Sequence, residues 1–241
     1  LVIVCAALAA MAVGGLYAFL PGVLKVKVKV NEVITTIMMN SIAIYFCAFL
    51  SNGPWKTSQP NRVSGTDPLD NVYRFTQLIR GSNLTTAIFA SAIIAFLIWY
   101  VMSRTATGFE MKLTGHNPRF AKYLGLSVDK LVIGSMVVSG AICGLAGFIA
   151  VSGAAHTISP TVSGGRGFTA IIVAWLAKMN PFVMILISAL LSFLDKGAVQ
   201  IASDFGLNEY VSQIISGVIL FFILGSEFFI NYQVKTGSKH K

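Results

Sequence analysis

Seven stretches of this chain are apolar along most of their length, and its polar residues collect in the gaps between them. They are Leu1–Leu20, Glu32–Leu50, Leu84–Met102, Leu131–Val151, a short Phe168–Ala177, Pro181–Leu194 with an extension, and Val211–Ile230. A helix that crosses a bilayer needs about 20 mostly apolar residues. The pattern predicts an all-α fold: a polytopic transmembrane helix bundle with about seven membrane segments. The chain opens inside an apolar run, without an initiator Met, a basic leader or a cleavage-site pattern. Leu1–Leu20 is therefore a poor signal peptide, and the chain reads as N-terminally incomplete, with upstream helices expected before it.

One short run breaks the helical pattern. From Lys25 to Val30 lysine and valine alternate, which is the signature of a half-buried strand. A lone strand between two membrane helices would leave its backbone unpaired, and open edges do not survive in hydrocarbon. The lysines instead fit a membrane rim, where they can snorkel to water. Asn31 is placed to cap the next helix, and Glu32 suits its positive end. A β-hairpin at the membrane surface stays open as the alternative.

In Leu131–Val151, Gly140 and Gly144 make a GxxxG, extended by Ser139, Cys143 and Gly147. Small residues at this spacing let helix backbones approach closely, so this helix is expected at the centre of the bundle, away from lipid. Ser152–Gly167 is rich in Gly and Ser with one Pro and one His, and the apolar stretch after it is short. Broken segments at membrane depth are tolerated where they line a cavity or are covered by protein.

Composition agrees: 55% of the 241 residues are hydrophobic and only 11% charged, against about a quarter charged in soluble domains. The net charge of +9 must be read by position, since lysine and arginine mark the cytoplasmic side of membrane proteins. With Lys25, Lys27 and Lys29 inside, alternation puts Ser51–Asn83 outside, Ser103–Lys130 inside, Ser152–Gly167 outside, Lys178–Asn180 inside, Asp195–Glu209 outside and the tail inside. Twelve of the 18 Lys and Arg then lie inside, including Lys235, Lys239 and Lys241. The expected location is a plasma membrane, with the C-terminus cytoplasmic. No basic domain stands outside the apolar segments, so no nucleic-acid partner is expected.

Chemistry-bearing motifs are few. Gly165–Ala170 fits G-x-G-x-x-A but lacks the strand and acidic residue of a dinucleotide fold. There is no P-loop, no H-E-x-x-H and no G-x-S-x-G. The histidines and the three cysteines have no metal-ligand spacing. Asp195, Lys196 and Asp204 read as lying near an outer helix end, and no segment carries an acid at its centre. That pattern disfavours a proton-coupled carrier, which needs a buried acid or His relay. Asn40 and Ser41 are polar positions inside the second segment, suited to helix–helix hydrogen bonds or to solute.

The loop 103–130 carries the sharpest local signal. Asn117 suits an N-cap, Pro118 the first helical position and Gly125 the stop. In the short helix between them Phe120, Tyr123 and Leu124 share one face, and Arg119 and Lys122 another. So short a helix is unstable alone in water. It must rest on the membrane surface, on its own bundle or on another protein.

Four segments together resemble a known family. "NEVITTIMMN" at Asn31–Asn40, "GHNPRFAKYLGL" at Gly115–Leu126, "SGAICGLAG" at Ser139–Gly147 and "GFTAIIVAWLAKMNP" at Gly167–Pro181 are similar, in order and spacing, to ABC-type permeases for simple sugars and nucleosides. His116 and Trp175 depart from that pattern. The resemblance implies a bacterial importer's membrane-spanning permease domain over residues 1–241, not an enzyme. It implies a separate ATPase subunit that binds ATP and Mg, no cofactor or metal in this chain, a second permease subunit, and an extracytoplasmic substrate-binding protein at the outer loops with Trp55. The coupling segment within 103–130 would be Gly115, Asn117, Pro118, Phe120, Ala121, Tyr123 and Gly125. Asn40, Phe168 and Trp175 are the expected pathway residues, and a nucleoside or simple sugar the expected solute. A branched-chain amino acid permease and an ion-gradient-driven carrier are the alternatives.

Overall fold

In the computed structural model of the chain, residues 2–56, 66–69, 75, 87–206 and 209–231 are described. All regular structure among them is helical, in two units, residues 1–164 and 165–241. The first unit holds α1 (Val2–Val28), α2 (Glu32–Asn52), α3 (Ala87–Arg104), α4 (Ala106–His116), α5 (Pro118–Tyr123) and α6 (Val128–Ala150). The second holds α7 (Arg166–Leu176), α8 (Pro181–Asp204) and α9 (Glu209–Asn231). All seven expected segments form helices, but the seven-span count is too fine. Among the described residues four helical stretches are long and apolar enough to cross a membrane: α1, α2, α6 with its C-terminal extension, and α8. A fifth is reached if α3 and α4, bent by 74° at their junction, count as one span. The chain is a multi-pass, membrane-spanning helix bundle. Most of Ser51–Asn83, expected to lie outside, and the basic tail with Lys235, Lys239 and Lys241, fall beyond the described residues.

The lysine–valine run is neither strand nor hairpin. It continues α1, with Lys25 and Lys27 in the last turn. Lys29 then turns the chain in the left-handed region (φ 55°). The Asn31 side chain accepts from the Val33 N–H at 2.9 Å and starts α2. Lys25 reaches across this turn to Glu32 at 2.5 Å.

The main packing in the first unit is α1 on α6. Ala10, Gly14 and Ala18, spaced by four on α1, meet Gly140 and Gly144 on α6. Added Cβ atoms show how close the backbones lie: one on Gly144 would meet the Ala10 carbonyl oxygen at 2.2 Å. In lipid this contact is made by van der Waals packing, since hydrocarbon competes equally for apolar side chains. The stripe is narrower than the sequence suggests. Ser139, Cys143 and Gly147 are exposed, and a Cβ on Gly147 would meet nothing within 4 Å. Among the described residues α1 thus covers one face of the helix expected at the centre of the bundle.

α6 ends in a π-helical turn, Val151–Ala155, closed by the His156 N–H on the Val151 carbonyl at 2.8 Å. The next residues do not stand alone as a broken span. Leu69 N–H donates to the His156 carbonyl at 2.8 Å, Thr66 N–H to the Ile158 carbonyl at 3.1 Å, and Phe75 N–H to the Ser152 carbonyl at 3.2 Å. Phe75 also packs edge-on against Phe148, centroids 6.0 Å apart. A distant stretch of chain thus satisfies the irregular backbone, as burial requires.

In the second unit, α7 and α8 are separated by a turn in which Lys178 and Met179 both have positive φ. Asn180 and Pro181 restart the helix, with Asn180 Oδ1 accepting from the Phe182 N–H at 3.1 Å. α8 runs 24 residues, the expected extension carrying it ten residues past Leu194. This corrects the reading of Asp195 as a helix-end residue: it is the fifteenth residue of α8, and an acid does lie within a span.

Candidate functional site

The stretch 103–130 is mostly helix. α3 ends at Arg104, and the hydroxyl of the next residue, Thr105, donates to the Val101 carbonyl at 2.5 Å and accepts from the Gly108 N–H at 3.3 Å. One side chain thus closes α3 and caps α4. α4 was not expected from sequence; its cap, Thr105, was the available signal. Gly108 is buried against the end of α3, where a Cβ would lie 2.3 Å from the Val101 carbonyl oxygen. The absence of a side chain there permits the bend.

α5 follows the sequence signals closely. Asn117 is extended (φ −148°, ψ 93°), as a residue before proline must be. Its Oδ1 accepts from the Phe120 N–H at 3.1 Å, and Pro118 occupies the first helical position. At the other end Gly125 adopts φ +80°. Its N–H donates to the Lys122 carbonyl at 3.0 Å, and the Leu126 N–H to the Ala121 carbonyl at 3.1 Å. These are the paired bonds of a Schellman stop. Six residues are therefore held helical by their two ends.

The short helix is anchored by one small side chain. Ala121 is fully buried, whereas Phe120 is 50%, Leu124 57% and Tyr123 90% exposed. Arg119 and Lys122 are exposed too, and with Tyr123 they frame an open depression of about 350 Å³. Of the coupling candidates, Asn117, Pro118, Phe120, Ala121, Tyr123 and Gly125 thus form one capped helix and its stop. Gly115 lies just before it, near the end of α4, where a Cβ would meet nothing within 4 Å. The arrangement presents an aromatic and basic knob on a fixed stalk, with hydrophobic side chains that the first unit leaves uncovered.

The expected pathway residues are placed separately. Phe168 and Trp175 are seven residues apart on α7 and share its exposed face with Ile171, while Val173 is buried. Asn40 is exposed on α2. Its neighbour Ser41 turns its hydroxyl back to the Ile37 carbonyl at 3.3 Å, so it serves its own helix. Asp195 was missed as a site residue. It accepts from the Ser216 hydroxyl at 3.2 Å, joining α8 to α9. Among the described residues no group of three or more His, Cys, Asp or Glu could hold a metal ion.

Comparison with known proteins bears on what this arrangement serves. Residues 1–224 match the model of the family described as branched-chain amino acid transport system / permease component. A guanosine ABC transporter permease protein, NupP of Bacillus subtilis, is 32% identical over 226 residues, covering 92% of this chain and 64% of that protein. A nucleoside ABC transporter permease protein, NupB of Lactococcus lactis, is 28% identical over 88% of this chain and 60% of its own length. A glucose ABC transporter permease protein, TsgB13 of Haloferax volcanii, is 26% identical over 94% of this chain and 62% of its own. The chain spans about three fifths of the length of these relatives. No solved structure matches it.

Proposed function

Since the chain belongs to the branched-chain amino acid transport system permease family, we propose that it is the membrane-spanning permease subunit of a bacterial ABC importer. Its solute is a nucleoside or a simple sugar, and ATP with Mg is bound and hydrolysed by a separate subunit. The observation that carries this reading is α5. A helix too short to stand alone is fixed at both ends while Phe120, Tyr123 and Leu124 stay exposed. Such a knob suits a soluble partner that pushes and pulls on it, and a separate ATPase subunit supplies that partner.

In this reading seven segments cross the inner membrane. The α3–α6 connection and the C-terminus face the cytoplasm, and Gly115, Asn117, Pro118, Phe120, Ala121, Tyr123 and Gly125 couple nucleotide-driven closure to the bundle. The outer segment with the exposed Trp55 receives a substrate-binding protein, and a second permease subunit completes the path. Asn40, Phe168 and Trp175 line it. A neutral, polyhydroxylated solute suits Asn and aromatic side chains, which offer hydrogen bonds and flat apolar faces. The relatives named for guanosine, nucleosides and glucose support this solute class. A branched-chain amino acid is the second reading, supported by the family's description.

The test is purification of the tagged full-length protein co-expressed with its neighbouring genes, followed by uptake assays in proteoliposomes. We expect a P-loop ATPase to co-purify and ATP inside the partner-bearing compartment to drive uptake of a nucleoside or sugar. Uptake that persists without ATP and collapses with the ion gradient would replace the importer with a carrier.

A further inference from the structure

α8 is apolar enough to pass as a span, yet one side of it is polar from Ser188 onward. At 100° per residue, Ser188, Ser192, Asp195, Lys196, Gln200 and Ser203 fall within a sector of about 140°. Only Ala189 and Val199 interrupt them. All six are exposed, while Leu191, Ala198 and Ala202 form the buried face. The remaining exposed side carries Leu186, Leu190, Phe193 and Ile201. The helix therefore has three faces: one packed, one greasy and one polar.

Depth makes the polar face informative. In the proposed topology α8 enters the membrane at Pro181, so Asp195, fourteen residues on, lies about 21 Å along the helix within a hydrocarbon layer about 30 Å thick. Its hydrogen bond from Ser216 orients the carboxylate. A carboxylate and a neighbouring ammonium turned to lipid at such depth are costly, and ionisable groups there face water-filled cavities or protein. The leucine and phenylalanine side is the one fitted to lipid.

We propose that the Ser188–Ser203 sector of α8 lines a water-filled path. Within it the Asp195 carboxylate, aimed by Ser216, accepts hydroxyl hydrogens from a neutral polyhydroxylated solute, and Lys196 donates to the solute's oxygens. The proposal rests on the importer reading for its solute, but not for the exposure of the face to water. A carboxylate offers two oxygens and about four acceptor positions, which suits adjacent hydroxyls. Ser216 is a positioning residue.

The experiment has two independent readouts in the full-length transporter with its partners, with Cys5, Cys47 and Cys143 replaced. First, single cysteines at Ser192, Gln200, Leu190 and Phe193 are exposed to a charged, membrane-impermeant thiol reagent. We expect the first two to react at least about tenfold faster, and to be protected by transported solute. Equal rates overturn the path, and so does efficient disulfide crosslinking of two copies through Ser192→Cys or Gln200→Cys, which marks a subunit interface. Second, Asp195→Asn should raise the KM of uptake about tenfold or more while Vmax stays within about twofold. Ser216→Ala should raise KM by a smaller factor. An unchanged KM in Asp195→Asn overturns the solute contact. If the unmodified transporter imports no nucleoside or sugar, the importer's solute class fails and the hydroxyl contact with it, whereas the labelling rates still decide whether the face is wet.

Discussion

Gly14 and Gly140 touch backbone to backbone where α1 crosses α6. A Cβ on Gly14 would lie 2.4 Å from the Gly140 carbonyl oxygen, and one on Gly140 2.6 Å from the Gly14 carbonyl oxygen. Backbone atoms cannot swing aside as a flexible side chain can. We expect Gly140→Leu to cost about 2 kcal/mol or more through overpacking, read as a lower midpoint of thermal unfolding in detergent. Gly147→Leu, seven residues on in the same helix where a Cβ would meet nothing within 4 Å, should leave the midpoint within about 0.5 kcal/mol equivalent. Equal losses at both sites would mean that the α1–α6 contact is not where the stability lies.

Asn117 and Pro118 determine whether α5 exists. Loss of a side-chain cap costs about 1 kcal/mol, a large share of the stability of a six-residue helix. Asn117→Ala should therefore abolish co-purification of the ATPase, while Asn117→Asp, which keeps an acceptor oxygen for the Phe120 N–H, should retain most of it. Because the span helices do not depend on this cap, overall thermal stability should change little in either variant. Retained binding in Asn117→Ala would show that the partner itself orders α5.

The sequence made the spans and α5 legible for different reasons. Lipid imposes long apolar runs, so helices such as α2 and α6 are visible in composition alone. Asn117, Pro118 and Gly125 act locally, so their signal needs no knowledge of the rest of the fold. The same Asn–Pro pair recurs at Asn180 and Pro181 and starts α8 in the same way, a signal that marked only a break in the apolar pattern. What could not be read was tertiary. Which glycines of the Gly140–Gly147 stripe face a partner depends on where α1 lies, and the cover over the Ser152–Ile158 backbone comes from residues about 90 positions away. Asp195 was misplaced because hydropathy drops at its charge, although the α8 backbone continues to Asp204.

Tyr123 separates docking from folding. At 90% exposure its ring contributes little to the fold of this chain, so Tyr123→Ala should leave stability within about 0.5 kcal/mol. As a large, exposed aromatic side chain it has the character of an interface anchor. We expect the substitution to weaken ATPase binding or to uncouple ATP hydrolysis from uptake by about tenfold or more. Burial elsewhere gives the control: Ala121→Leu places bulk where the side chain is fully buried and should damage α5 itself.

Gly108 and Gly115 offer the same substitution on the same helix with opposite expected outcomes. At Gly115 a Cβ meets nothing within 4 Å, so Gly115→Ala should add about 0.5–1 kcal/mol of helix stability. At Gly108 a Cβ would strike the Val101 carbonyl oxygen at 2.3 Å and Met102 Cα at 2.7 Å. Gly108→Ala must then open the 74° bend between α3 and α4. Since α4 leads directly into α5, the knob of Phe120, Tyr123 and Leu124 would move with it. We expect Gly108→Ala to lose both stability and ATP-driven uptake. Gly115→Ala should keep the fold, and if uptake nevertheless falls, the open space at Gly115 is filled by the partner. A spin-label pair across the bend, one on α3 and one on α4, reads the angle directly. An unchanged distance in Gly108→Ala would show that the bend is held by something other than this contact.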